Sequence, residues 1–212
     1  MIQLQNVSKK IKTNQVLNNI SYTFEEGKVY GLYGRNGSGK TMLLRAVSGL
    51  IRLDSGSIYV DGKKLHEEIS FPENTGIVIE NMELLPRFSA RQNLKILAKI
   101  RNKADDRSIT EALKRVGLDP DSTLKVKKFS LGMKQRLNIA QAIFEKQKLI
   151  LLDEPTNALD EKGVGLIYDI IREEREKGAV IVIATHHKED LEELCDVVLK
   201  IDEGKIVCET AP

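Results

Sequence analysis

Gly34-Arg35-Asn36-Gly37-Ser38-Gly39-Lys40-Thr41 decides how this chain folds. The stretch reads G-x-x-x-x-G-K-[ST]. Before it runs Lys28-Val29-Tyr30-Gly31-Leu32-Tyr33, an apolar segment of buried-strand type. After it comes Met42-Leu43-Leu44-Arg45-Ala46-Val47, with helical spacing. Strand, glycine-rich loop and helix in that order make a phosphate cradle. Glycines let the backbone approach a polyphosphate and turn several N–H groups inward. The helix N-terminus that follows adds partial positive charge. Asn36, Gly37, Ser38, Gly39, Lys40, Thr41 and Met42 are therefore the candidate nucleotide-binding set. Lys40 reaches the β- and γ-phosphates, and the Thr41 hydroxyl ligates Mg²⁺.

Working outward, Ile2 to Val7 and Val16 to Phe24 read as strands, and Glu25-Glu26-Gly27 turns the second into the P-loop strand. Beyond the loop helix, Ile58-Tyr59-Val60 followed by Asp61-Gly62 is a hairpin signal. An antiparallel β layer thus accompanies the nucleotide loop. Gly76 to Ile79 is a short buried-type strand. From Ser89 to Val116 the pattern is helical: Leu94, Leu97, Ala98 and Arg101 recur at helical spacing, then Ile109, Leu113 and Val116 do so again, ended by Gly117 and Pro120. A further helix starts near Ser130. Two continuous apolar runs, Leu149 to Leu152 and Ala179 to Ala184, read as buried parallel strands. Glu161 to Glu176 is an amphipathic helix, Lys188 to Leu194 a short one, and Asp202-Glu203-Gly204 closes a last hairpin.

The expected fold class is α/β: a P-loop (RecA-like) core with a mainly parallel sheet, an N-terminal antiparallel β layer and a helical insert. The expected organisation is one domain, 1–212, with a helical subdomain at about 81–147 between core strands. The P-loop, Asp153-Glu154 and His186 all fall at strand carboxyl ends, where such folds bind ligands.

Net charge is +2 with acids and bases interspersed, which gives no nucleic-acid-binding signature. Cys195 and Cys208 form no metal-spaced pair and read as reduced cytosolic thiols. The first residues lack the pattern of a secretory signal. No apolar run reaches the roughly 20 residues that cross a bilayer. Any membrane role would come through a partner.

Asp153 and Glu154 leave a buried strand together, which is costly without a cation or a catalytic task. In the usual P-loop arrangement Asp153 belongs to the Mg²⁺ shell and Glu154 orients the attacking water. The alternative is an acidic capping turn before Pro155, against which the upstream P-loop weighs. Ser130 is a good N-cap and Gly132 permits close backbone approach, a second anion-binding device 90 residues beyond Lys40.

Phe129-Ser130-Leu131-Gly132-Met133-Lys134-Gln135-Arg136 resembles the signature of ABC-type ATPases, usually written LSGGQ, and Ser130 lies 23 residues before Asp153. Asn157-Ala158-Leu159-Asp160 resembles the family's D-loop, although Asp160 could equally cap the next helix. His186 matches its switch histidine. The resemblance implies an ATPase with ATP and Mg²⁺ as ligands, Glu154 and His186 as catalytic residues, and Ser130 and Gly132 on the nucleotide of an opposite subunit. It implies a homo- or heterodimer of ATPase subunits with ATP at the interface. A separate transmembrane permease would anchor it at the inner face of the cell membrane. The surface from Glu80 to Phe88, with Met82, Leu84, Leu85 and Phe88, is the candidate docking region. The compact length resembles exporter-type subunits.

Three positions depart from the family pattern. Glu80 stands where a Gln usually touches Mg²⁺, and could still ligate it as a carboxylate. Ile11 stands where an aromatic usually stacks on adenine, which is consistent either with weaker base selectivity or with another aromatic, such as Phe129 of a partner chain, in its place. Leu131 and Met133 replace a Gly and a Gln of the signature. His187 has no matching role and is expected to face solvent.

Overall fold

The computed structural model describes residues 1–79, 83–101 and 103–211. Among these, the strands form two sheets. The first is four-stranded in the order β2-β1-β4-β5. It comprises β1 (Ile2–Ile11), β2 (Asn14–Phe24), β4 (Ser55–Val60) and β5 (Lys63–Lys64), all antiparallel. Asp61-Gly62 closes the β4–β5 pair at φ 49° and 81°, the doubly positive geometry that two-residue hairpins favour.

The second sheet is six-stranded, β10-β9-β3-β8-β7-β6. β3 (Val29–Tyr33), β6 (Thr75–Val78), β7 (Leu149–Asp153), β8 (Val180–Thr185) and β9 (Val197–Asp202) run parallel, and β10 (Lys205–Thr210) returns antiparallel to β9. Every residue of β7 and β8 is buried. The continuous apolar runs follow from this double-sided burial. Alternate residues serve opposite faces: Ile150, Leu152, Ile181 and Ile183 pack towards the helices. Leu149, Leu151, Val180 and Val182 pack towards the antiparallel sheet and α1 (Lys40–Val47).

Between β6 and β7 come α2 (Ala90–Arg101), α3 (Asp106–Arg115) and α4 (Leu131–Ile143); α5 (Glu161–Glu176) and α6 (Lys188–Leu194) follow β7 and β8. The helical stretch expected over 89–116 forms as two helices, α2 and α3. Asp105 caps a new helix, its carboxylate accepting from the Ser108 N–H at 2.8 Å. Apolar spacing alone does not place that cap, because Leu94 and Leu113 enter the same core from separate helices. The carboxyl ends of β3, β7 and β8 deliver the P-loop, the acidic pair and His186 to one edge of the sheet.

Candidate functional site

The P-loop is fixed from below. Gly39 sits at φ 113°, and a Cβ on it would lie 2.6 Å from the Val16 carbonyl oxygen. No other residue type fits there. The Gly204 N–H donates to the Ser38 carbonyl at 2.8 Å, and the Asn18 N–H donates to the Gly204 carbonyl at 2.8 Å. The β9–β10 turn therefore ties the loop to β2, a role for Val16, Asn18 and Gly204 with no signal in the motif.

Asn36 and Gly37 are exposed at the loop tip, whereas Ser38, Gly39 and Lys40 are buried. The Lys40 ammonium donates to the carbonyls of Gly34 at 2.7 Å and Arg35 at 3.2 Å. Met42 is half-buried and packs on the core beneath α1. Among the described residues, the buried Ser38 hydroxyl has no hydrogen-bond partner. Buried polar groups are nearly always paired, so this hydroxyl suits an oxygen-rich ligand such as a phosphate. Beside the loop opens a cavity of about 580 Å³, lined by Tyr33, Gly34, Asn36, His186, Lys200 and Asp202 among others.

Two acidic residues meet this loop at the end of β7. The Thr41 hydroxyl donates to the Asp153 carboxylate at 2.6 Å. Asp153 is buried, so its charge acts in a poorly solvated place. Hydroxyl and carboxylate are hard oxygen donors of the kind Mg²⁺ takes. The backbone of Glu154 is strained at φ 49°, and its N–H donates to the Ala184 carbonyl at 2.8 Å. Such strain persists only where the surroundings enforce it. Its Oε1 lies 2.7 Å from Nδ1 of His186, and Gln135 donates to the carbonyls of Glu154 and Pro155 at 3.2 and 3.0 Å. Gln135 belongs to the signature stretch, yet no role for it was legible there.

His187 faces solvent only in part. It is half-buried, with its ring centroid 4.1 Å from that of His186 and its Nε2 3.1 Å from Oδ1 of Asn157. Glu154, His186 and His187 bring three ligand atoms within 4.8 Å of one another. That set is softer than the all-oxygen one Mg²⁺ prefers, so Thr41 and Asp153 fit this ion better. Glu80 and Met82 lie outside the described residues.

Ser130 is exposed and caps α4, its Oγ accepting from the Met133 N–H at 3.1 Å. A Cβ on Gly132 would lie 2.9 Å from the Ala158 carbonyl oxygen, so the glycine lets the D-loop stretch sit against the helix tip. Asp160 does cap α5, accepting from the Gly163 N–H at 2.9 Å, and pairs with Arg136 at 3.2 Å. Phe129 corrects an expectation. Its ring is buried in this chain's own core, so it offers no face to a partner's adenine. Ile11 is exposed at the end of β1.

The family model for ABC transporters matches residues 17–157. Over 206 residues the chain is 58% identical to the ABC transporter ATP-binding protein YybJ of Bacillus subtilis, spanning 97% of this chain and 94% of that protein. It is 36% identical over 209 residues to the lantibiotic transport ATP-binding protein SrtF of Streptococcus pyogenes, spanning 99% and 90%. The solved structure of the ATP-binding cassette MJ0796, a dimer in a post-hydrolysis state with ADP and Pi, superposes with a TM-score of 0.90. It covers 100% of this chain and 98% of that one at 24% identity, a likeness of fold. With its P-loop, acidic pair and histidine gathered at one sheet edge, the chain belongs to the ABC transporter family, as an ATPase of the ATP-binding-subunit type.

Proposed function

We propose that this chain is the motor subunit of an exporter, coupling ATP-driven pairing of two cassettes to a separate membrane permease. The carrying observation is the convergence of Thr41 with Asp153 and of Glu154 with His186 at the ends of three neighbouring strands. In this reading residues 1–212 act as one cassette, with a helical subdomain at about 81–147 inserted in the core. ATP lies between the P-loop of one copy and Ser130 and Gly132 of the other, homomeric or heteromeric.

Asn36 to Met42 hold the phosphates, with Lys40 turning from its loop carbonyls to the β- and γ-oxygens. Thr41, Asp153 and Glu80 would hold Mg²⁺, which neutralises charge building on the phosphate oxygens. Glu154 orients a water and takes its proton as the water oxygen bonds to the γ-phosphorus. The bond from that phosphorus to the β–γ bridging oxygen breaks, leaving ADP and phosphate. His186 donates to the γ-phosphate and is itself oriented by Glu154. ATP must favour the closed pair over the open one by about 5.5 kcal/mol to drive a decisive switch.

Among the described residues no helix is long and apolar enough to cross a membrane. The permease partner would hold the subunit at the cytoplasmic face of the membrane, through the surface around Leu84, Leu85 and Phe88. SrtF, named for lantibiotic transport, supports a transport role. The test is co-purification of the permease and reconstitution of the pair in vesicles. ATP-dependent efflux with stimulated ATPase activity supports the reading, and uptake in place of efflux refutes export. Absence of turnover with the permease present would favour a regulatory ATP-binding module, the reading to which Ile11 and Glu80 give some weight.

A further inference from the structure

We infer that Asp190 is a positioning residue of the hydrolysis site, fixing the loop that carries Glu154 against the strand end that carries His186. The inference rests on the hydrolytic roles proposed above for those two residues. Asp190 lies on α6 and is only 2% exposed. Three hydroxyls from three elements converge on it. Thr156 and Thr185 donate to Oδ2 at 2.8 and 2.9 Å, and Tyr168 of α5 donates to Oδ1 at 2.7 Å. A buried carboxylate is tolerated only when so satisfied.

The placement of these donors gives the cluster its meaning. Thr156 is two residues beyond Glu154, and Thr185 immediately precedes His186. Thr185 also accepts the His187 N–H at 3.1 Å. One carboxylate thus sets the spacing between the two loops whose side chains meet at 2.7 Å, Glu154 and His186. A second consequence follows from counting protons. A hydroxyl carries one donor hydrogen. Thr185 approaches Oε2 of Glu154 at 3.5 Å but Asp190 at 2.9 Å, so its hydrogen is committed to Asp190. Asp190 therefore keeps Thr185 from donating to the carboxylate that must receive the water's proton. Without Asp190 the Thr185 hydroxyl turns to Glu154 and weakens it as a base.

The experiment compares Asp190→Ala and Asp190→Asn in the full chain by steady-state ATPase kinetics. An Asn side chain accepts from both threonines through its oxygen and donates to the Tyr168 oxygen through its amide, so the cluster survives. The expected result is kcat lowered at least about tenfold in Asp190→Ala, with KM for ATP within about twofold, and near-parental kcat in Asp190→Asn. Should Asp190→Ala fail to fold, Thr156→Val and Tyr168→Phe each remove one donor, and each is expected to lower kcat severalfold at unchanged KM. The inference is overturned if Asp190→Ala turns over at the parental rate, if Asp190→Asn falls as far as Asp190→Ala, or if both single-donor variants are silent. A parental rate in Glu154→Gln would instead refute the hydrolytic reading itself.

Discussion

The Thr41 hydroxyl donates to the Asp153 carboxylate across 2.6 Å, joining two stretches 112 residues apart. One belongs to the first turn of α1 and the other to the end of β7. Parallel pairing of β7 with β8 and of β8 with β3 brings them together. Neither residue could serve a metal–phosphate site from its local sequence alone. The sheet order makes the site.

Lys40→Ala tests the phosphate cradle. Lys40 is buried beneath the loop, and its ammonium donates to the carbonyls of Gly34 and Arg35. Loss of a charge-assisted bond to phosphate costs about 2–3 kcal/mol, roughly 30- to 150-fold in Kd for ATP. Calorimetric titration of ATP should show that loss with no change in the fold. Parental affinity would remove Lys40 from the cradle.

Ser130→Ala separates a helix cap from a nucleotide contact. Losing the bond to the Met133 N–H costs about 1 kcal/mol. That lowers Tm by roughly 2–4 °C in a chain of this size. If Ser130 also serves the opposite nucleotide, ATPase activity falls by at least about tenfold, far beyond what a cap explains. A shifted Tm with unchanged turnover would leave Ser130 a cap only.

Much of this could be read from the chain in order. The P-loop, the continuous apolar runs of β7 and β8 and the Asp61-Gly62 turn each carry a local physical signature, and each forms as expected. What stayed hidden depends on distant partners. The strained φ of Glu154 is set by Ala184 and Gln135. His187 looked solvent-facing because Asn157, its partner, lies 30 residues away. Phe129 looked like a free aromatic because its burial is a property of the helical core. Asp190 carried no signal within the short helix Lys188 to Leu194, since its three hydroxyl donors are scattered along the chain.

The two cysteines should differ sharply in reactivity. Cys195 is buried, and its thiol is pushed up to about 12, first by burial and then by the charges of Asp190 and Asp196. It stays protonated and inert at pH 8, while Cys208 is exposed. The native chain should take up one equivalent of a maleimide rapidly and a second only on unfolding. The raised folded value also fixes a sign. The stability it contributes is complete below the unfolded thiol's pKa of about 8.5 and is lost as pH rises towards the folded value. Two fast equivalents in the native state would contradict this packing.

Phe88→Glu and Leu85→Glu test the docking surface. Each side chain is 39% exposed, open enough to meet a partner. A charge placed in an apolar contact should abolish permease-stimulated ATPase activity and transport, with basal ATPase activity within about twofold of the parent. Transport that survives both changes would move the docking surface elsewhere.

The most direct measurement is the mass of the Glu154→Gln chain in solution, by light scattering, with saturating ATP and Mg²⁺ and then with ADP. With Glu154 unable to take the water's proton, ATP should persist and hold two cassettes together. The account predicts a two-chain species in ATP and single chains in ADP. Single chains at saturating ATP would contradict a nucleotide shared between the P-loop of one copy and Ser130 of another.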